Sequence, residues 1–287
     1  MGKASRRKGD TTKTRPAPFV RRPFEGLDGE TDLVAMREIV PAATATLALR
    51  EPIGDISSVS VCTVLPMAWP GLRRADGEVL VGLQSGTSSG DASRDLAQAI
   101  LVAAQTEPGN PVATLTLATA ETPRLQDLID PATPVEIEVH EGFEFWVPEG
   151  ELDAEGRESL QRANESAIPT VKLDGVASAY WCEIGERTYV RQVLADDEDA
   201  ATDALARLQA RGQSSLDESH RLLGAFRACG LLVPVWEVDP EAEPESWAAP
   251  MRQMSERYAE ALAATEPLTA DERRARSGLQ SRQITLR

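Results

Sequence analysis

Apolar residues in this chain never run together for long: they alternate with polar ones over short stretches, stop at Gly, Pro or Asp, and give way to segments of helical spacing. Alternation places every second side chain on one face of a strand, whereas recurrence at every third or fourth position makes one stripe along a helix. A chain that mixes both patterns in successive blocks predicts an α+β fold, each element burying one face.

The alternating stretches are Thr44 to Leu49, Val59 to Leu65 and, after the turn signal Asp76-Gly77, Glu78 to Leu83. Leu96, Ala99, Ile100 and Ala103 then mark a helix. A short helix is expected ahead of them, capped by Thr31, running through Val34, Ala35, Glu38 and Ile39, and stopping before Pro41. In the second half the order returns: strands at Ala177 to Ile184 and Thr188 to Leu194 hinged at Gly185-Glu186, then a helix from Asp196 to Ala210. Ser215 is read as capping a further helix through Glu218, Leu222, Leu223 and Phe226, before a strand from Leu231 to Val238. The matching positions in the first half are the turn Pro123 to Leu128 and a strand Val135 to Val139. Both halves read β-β-α-α-β, so a tandem pseudo-repeat with antiparallel or mixed sheets is expected, its first α+β half over 24–150 and its second over 151–287. Glu149 to Ser166 reads as an acidic connecting helix. The C-terminus is helical, from Pro250 to Ala264 and again after Thr269, which forms a capping box with Glu272.

With 287 residues, 41% of them hydrophobic, the chain can bury a core of its own. No stretch approaches the roughly 18 apolar residues of a membrane span. The basic start lacks the apolar segment of about 7 to 15 residues that a secretory signal needs, so a cytoplasmic location is expected. Cys62, Cys182 and Cys229 stand far apart in apolar contexts and read as reduced thiols; the only histidines, His140 and His220, are too few for a His-rich metal site. Neither a metal nor another cofactor is expected. Trp69, Trp146 and Trp236 stand close to prolines, which fits edge or terminating strand positions.

Charge is distributed unevenly. Residues 1–22 hold Lys3, Arg6, Arg7, Lys8, Lys13, Arg15, Arg21 and Arg22 against Asp10 alone, a net charge of +7; since the whole chain carries −16, the rest carries −23. Such a body repels nucleic acid and anionic membrane, so any polyanion contact belongs to the tail, above all to Lys3, Arg6, Arg7, Lys8, Lys13 and Arg15. Residues 1–23 are expected to be a disordered basic tail, able to touch RNA or a ribosome through phosphates, with no aromatic before Phe19 to stack on bases.

The loop after Leu83 offers the one candidate anion site, with Gly86, Thr87, Ser88, Ser89 and Gly90 leading into a helix N-terminus. It is no Walker loop, because Asp91 follows Gly90 where Lys would stand, and Asp91 opposes phosphate. His140-Glu141 lacks the second histidine of a zincin helix, and no G-x-S-x-G elbow supplies a nucleophile for it. Glu136 and Glu138 share a strand face and read as solvated. No catalytic residues are assigned.

The strings Arg22-Pro23-Phe24-Glu25-Gly26-Leu27, Val40-Pro41-Ala42-Ala43-Thr44-Ala45, Thr63-Val64-Leu65-Pro66-Met67-Ala68, Gly90-Asp91-Ala92-Ser93-Arg94-Asp95-Leu96 and Leu268 to Arg276 resemble an uncharacterised bacterial domain-of-unknown-function family, type 5926. Some members of that family carry a zinc module like that of the SecA translocase, and the resemblance by label alone would imply a protein-translocation-associated factor. Met1 to Arg22 contains no Cys or His to form such a module. The segment Ala200 to Val235 also resembles the helix-then-strand pattern of SseB-like domains. Two functions are therefore expected: a non-enzymatic cytoplasmic binding or adaptor protein holding a protein partner, ribosome or RNA, or else a hydrolase or anion-binding enzyme using the 85–91 loop near His140.

Overall fold

The alternation at Thr44 extends further than its pattern predicts: β1 covers Ala43–Ile53 and folds back at Gly54-Asp55 onto β2, Ile56–Val64. The computed structural model describes residues 15–86, 88–146 and 154–281. Beside β2 lies β4 (Val79–Gln84), parallel to it, and the short strands β3 (Gly71–Arg73), β5 (Asn110–Val112) and β6 (Ile137–Val139) complete a mixed sheet of order β5-β3-β4-β2-β1-β6. Its inner face presents Ala45, Leu47, Val59, Val61, Val79 and Val81 to Leu96, Ala99, Ile100 and Ala103 of helix α2 (Ala92–Gln105). These are the four positions that the helical spacing marked.

The second sheet joins β7 (Thr170–Lys172), β8 (Ala179–Ile184), β9 (Arg187–Gln192), β10 (Leu222–Ala228) and β11 (Leu231–Val238) in the order β10-β11-β9-β8-β7, every neighbour antiparallel. One of its faces packs Trp181, Val190 and Trp236 with helix α5 (Glu198–Ala210), helix α6 (Ala248–Leu262) and Leu279 of helix α7 (Ala270–Ser281). Tyr180, Val193, Leu231 and Val233 belong instead to the same apolar cluster as the inner face of the first sheet. The protein is therefore α+β, with two sheets whose cores meet.

Helix α1 (Glu30–Glu38) sits at that meeting. It contributes Leu33, Val34 and Met36 to the shared cluster. The Asp32 carboxylate accepts hydrogen bonds from the Ser178 hydroxyl at 3.0 Å and the Tyr180 hydroxyl at 3.3 Å, with the Lys172 ammonium 3.5 Å away. At the other end Arg191 donates to the Ile39 carbonyl at 2.9 Å, neutralising the negative end of the helix. Contrary to the expectation from the sequence, Thr31 is not its cap: Gly29 is, without a side-chain bond, and the Thr31 hydroxyl accepts from Ser178 at 2.8 Å. Gly29 is required by packing, since a Cβ there would lie 2.2 Å from the Val135 side chain.

Three further expectations are corrected. The helix read through Leu222, Leu223 and Phe226 is strand β10, because pairing with β11 through the tight turn Cys229-Gly230 outweighs a short stripe that suits either period. The second half thus runs β-β-β-α-β-β from β7 to β11, and its all-antiparallel sheet does not copy the mixed sheet of the first. Pro234 stands inside the central strand β11 rather than at an edge; the ladder to β9 begins only at Val235, so its missing N–H breaks no bond there. Residues 15–23, expected to be part of a disordered tail, are instead laid on the body: Ala17 is buried, its amide donates to Ala118 at 2.7 Å, and Val20 donates to Gly90 at 3.0 Å. Arg22 then grips the buried Glu30 with two bonds of 2.6 and 2.8 Å. The candidate tail residues Lys3, Arg6, Arg7, Lys8 and Lys13 lie outside the described residues.

The connecting helix α4 (Ala154–Asn164) and the capping box are where the sequence places them. The Glu272 carboxylate accepts from the Thr269 amide at 2.8 Å, and this bond, with Thr269 Oγ1 and the charges of Arg207 and Arg211, holds its pKa below the usual value of 4.5. A depressed carboxylate pKa adds stability that is complete above the unfolded-state value and is lost as pH falls through the folded one. Protection factors of the α7 amides, that is exchange relative to the intrinsic rate at each pH, are accordingly expected to fall as the Glu272 carboxylate is protonated, and Glu272→Gln to flatten that acid step. No helix among the described residues is long and apolar enough to cross a membrane.

Candidate binding groove

Strand β4 ends at Gln84 and its chain turns through the 85–91 loop into α2. At that turn the Asp91 side chain accepts from the Ser93 amide at 3.1 Å and the Arg94 amide at 3.4 Å, while Asp95 accepts from the Ser89 amide at 3.0 Å. Asp91 is 1% exposed and has the Arg94 and Arg124 guanidinium groups 3.2 and 3.8 Å away. Of the donors that an anion would need among Gly86, Ser88, Ser89 and Gly90, the Ser89 amide is thus taken by Asp95 and the Gly86 amide by the Ala68 carbonyl, while Asp91 occupies the helix N-terminus itself. Thr87 lies outside the described residues.

His140 does not join this loop. Its Nε2 is 2.8 Å from the Thr44 hydroxyl and its ring lies 5.1 Å from that of Phe145, on the cover formed by Phe143, Phe145 and Trp146. Three strand spacings, from β4 through β2 and β1 to β6, put it roughly 14 Å away along the sheet. Neither His140 nor Glu141 lines the hollows beside the loop. Glu136 and Glu138 are exposed, as a solvated face requires.

What does meet the loop comes from three distant places. Two adjoining hollows, of about 270 and 350 Å³, share Arg37, Glu38, Ser88 and Ala92; the second also takes in Phe19, Arg21, Arg227 and Cys229. Arg37 at the end of α1 donates to the Leu83 carbonyl at 2.8 Å and pairs with Glu38 at 3.1 Å. Arg21 and Arg227 both reach Glu198, at the start of α5. The Cys229 thiol donates to Glu38 at 3.5 Å, and burial together with that carboxylate pushes its pKa up to about 12. It stays protonated at neutral pH and makes a poor nucleophile.

The wall is fixed by a two-residue turn. Cys229 at φ 46° and Gly230 at φ 81° join β10 to β11 as in a type I′ hairpin, and a Cβ on Gly230 would stand 2.8 Å from the Arg21 carbonyl oxygen. Gly230→Ala is therefore expected to cost about 2 kcal/mol from the left-handed backbone and the clash, and to loosen the segment around Arg21. Unfolding in urea, with proteolysis after Arg21 as a second readout, measures both; unchanged cleavage would show that the turn does not hold the segment. Gly230 between apolar runs was a legible turn signal, whereas nothing local ties Arg21 or Arg227 to Glu198.

Phe19, which lines the second hollow, is 80% exposed. The groove is thus lined by guanidinium groups paired with carboxylates, a shielded thiol and the ring of Phe19. Among the described residues no group of three or more His, Cys, Asp or Glu is placed to hold a metal ion.

No curated protein and no solved structure matches this chain. A family model described as a family of unknown function, DUF5926, matches residues 23–287, the span that carries both sheets, all seven helices of the described residues and most of the groove. The chain belongs to that family, as the strings from Arg22 to Arg276 led us to expect, and the basic residues ahead of Arg22 lie outside the matched span.

Proposed function

We propose that this protein is a non-enzymatic cytoplasmic binding or adaptor protein that holds a polyanionic partner, RNA or a ribosomal surface, through its basic arm. The observation that carries the reading is the anchoring of Arg15 to Pro23 beside the groove, because it delivers the arm's charge at one fixed place on an otherwise acidic body. Arg37 and Arg227 extend that positive region into the groove. Anchoring also lowers the entropy lost on binding, since the root of the arm is already ordered.

Co-sedimentation with ribosomes across a salt series tests this. Each phosphate neutralised should lower log K by about 0.7 to 0.9 per decade of salt; with Arg21 and Arg22 tied to Glu198 and Glu30, the cations from Lys3 to Arg15 less Asp10 leave +5, which should cost roughly 10² to 10³ in affinity between about 50 and 200 mM salt. Removing residues 1–14 should remove most of the binding and most of the slope. Binding that ignores both salt and truncation would refute the reading, and would favour a protein partner seated on the exposed Phe19 at the groove.

A further inference from the structure

At the other end of β10, roughly 20 Å from Cys229 at the usual rise of a strand, the loop from Arg211 to Arg221 joins α5 to β10. With α6 it walls a hollow of about 800 Å³, within the range of about 300 to 1,000 Å³ found for small-ligand sites. Its walls are braced by bonds within the chain. Arg257 of α6 donates to the Gln213 carbonyl at 3.2 Å and the Ser215 carbonyl at 2.8 Å, and Trp236 donates to the Ser214 carbonyl at 2.8 Å. Asp217 accepts from the Ser219 and His220 amides and sits 2.8 Å from His220 Nδ1, whose ring meets Trp247 edge-on at 4.7 Å.

Two polar groups on this wall are left over. Gln209 Oε1 is buried and accepts no hydrogen bond from the described residues, although it is a carbonyl with two lone pairs. The Arg221 guanidinium is exposed at the rim and forms no ion pair or hydrogen bond among the described residues. Asp217 and Glu218 contribute exposed carboxylates and Ser214 and Ser215 their hydroxyls, while no aromatic side chain lines the hollow to stack on a base. With Arg221 as an unpaired cation among several acceptors, the polar content suits a ligand with one negative group, seated at Arg221, and several O–H donors turned to the carboxylates.

We propose that this hollow is a binding site for a small oxyanion rich in hydroxyl groups, the chemistry of a sugar phosphate. Arg221 pairs with the oxyanion in the two-pronged geometry of a guanidinium. Ligand hydroxyls donate to Gln209 Oε1 and to Glu218, and accept from the serine hydroxyls. The site is independent of the seam groove and of the arm.

Isothermal titration of the full chain with glucose 6-phosphate, glucose and inorganic phosphate as separate probes tests it. Saturable binding of glucose 6-phosphate is expected, about tenfold or more tighter than either part alone. Arg221→Gln, at an exposed position, should weaken it about tenfold, and Gln209→Met should weaken glucose 6-phosphate and glucose but not phosphate. Thermal melts of both variants show that they remain folded. No saturable binding of any probe at millimolar concentration would overturn the proposal, as would glucose 6-phosphate binding that Arg221→Gln leaves unchanged. Deletion of residues 1–14 should leave these titrations unaltered, which separates the site from the arm.

Discussion

Truncating Leu33 to Ala is expected to lower stability by about 3 to 4 kcal/mol and to shift one single unfolding transition down by on the order of 10 °C. Leu33 is fully buried in α1, within the cluster that contains the inner face of the mixed sheet together with Tyr180, Leu231 and Val233 of the antiparallel one. Removing three carbons there loses their transfer energy and leaves a cavity between elements that are tied to one another through Asp32 and Arg191. Because the cluster belongs to both sheets, the loss is felt by the whole chain. Differential scanning calorimetry reads the result directly: two transitions, of which only the lower one moves, would mean that residues 24–150 and 151–287 melt as separate domains.

Asp91→Ala should cost about 3 kcal/mol, the second largest effect, and Asp91→Asn only about 1 kcal/mol. The carboxylate is buried, caps two amides of α2 and faces Arg94 and Arg124. Both variants remove the charge that faces Arg94 and Arg124; alanine also removes the cap and the acceptor oxygen, whereas asparagine keeps them. Urea denaturation separates the two variants. In Asp91→Ala the helix N-terminus loses its own anion, so added phosphate should raise the midpoint of that variant more than that of the parent chain. Equal stabilisation of both would show that phosphate acts on the folded chain in general and not at the vacated helix N-terminus.

Much of the fold was legible because it rests on local rules. Alternation located β1, β2, β4, β8, β9 and β11; the stripe of Leu96, Ala99, Ile100 and Ala103 located α2; Thr269 and Glu272 announced the start of α7. Misreadings occurred where a local pattern suited two structures and a distant partner chose. Leu222, Leu223 and Phe226 suit a helix stripe, but β11 offers them a full strand of hydrogen bonds. Thr31 is a good cap by type, but Ser178, far along the chain, takes its hydroxyl. The groove was legible only in its glycine and serine loop, because Arg37, Arg227 and Arg21 reach it from three separate segments.

The sequence by itself determined the α+β class, most element positions, the charge division between arm and body, and membership of the family through its long matched strings. Those features depend on residue type and near-neighbour spacing, which a linear string records in full. Only the tertiary structure decided that the two sheets share a core around α1, that Arg15 to Pro23 is docked, and that His140 lies apart from the 85–91 loop. Each of these is a contact between residues far apart in the chain. Such contacts are selected by which buried faces and charges satisfy one another at closure, and spacing along the chain does not encode that choice.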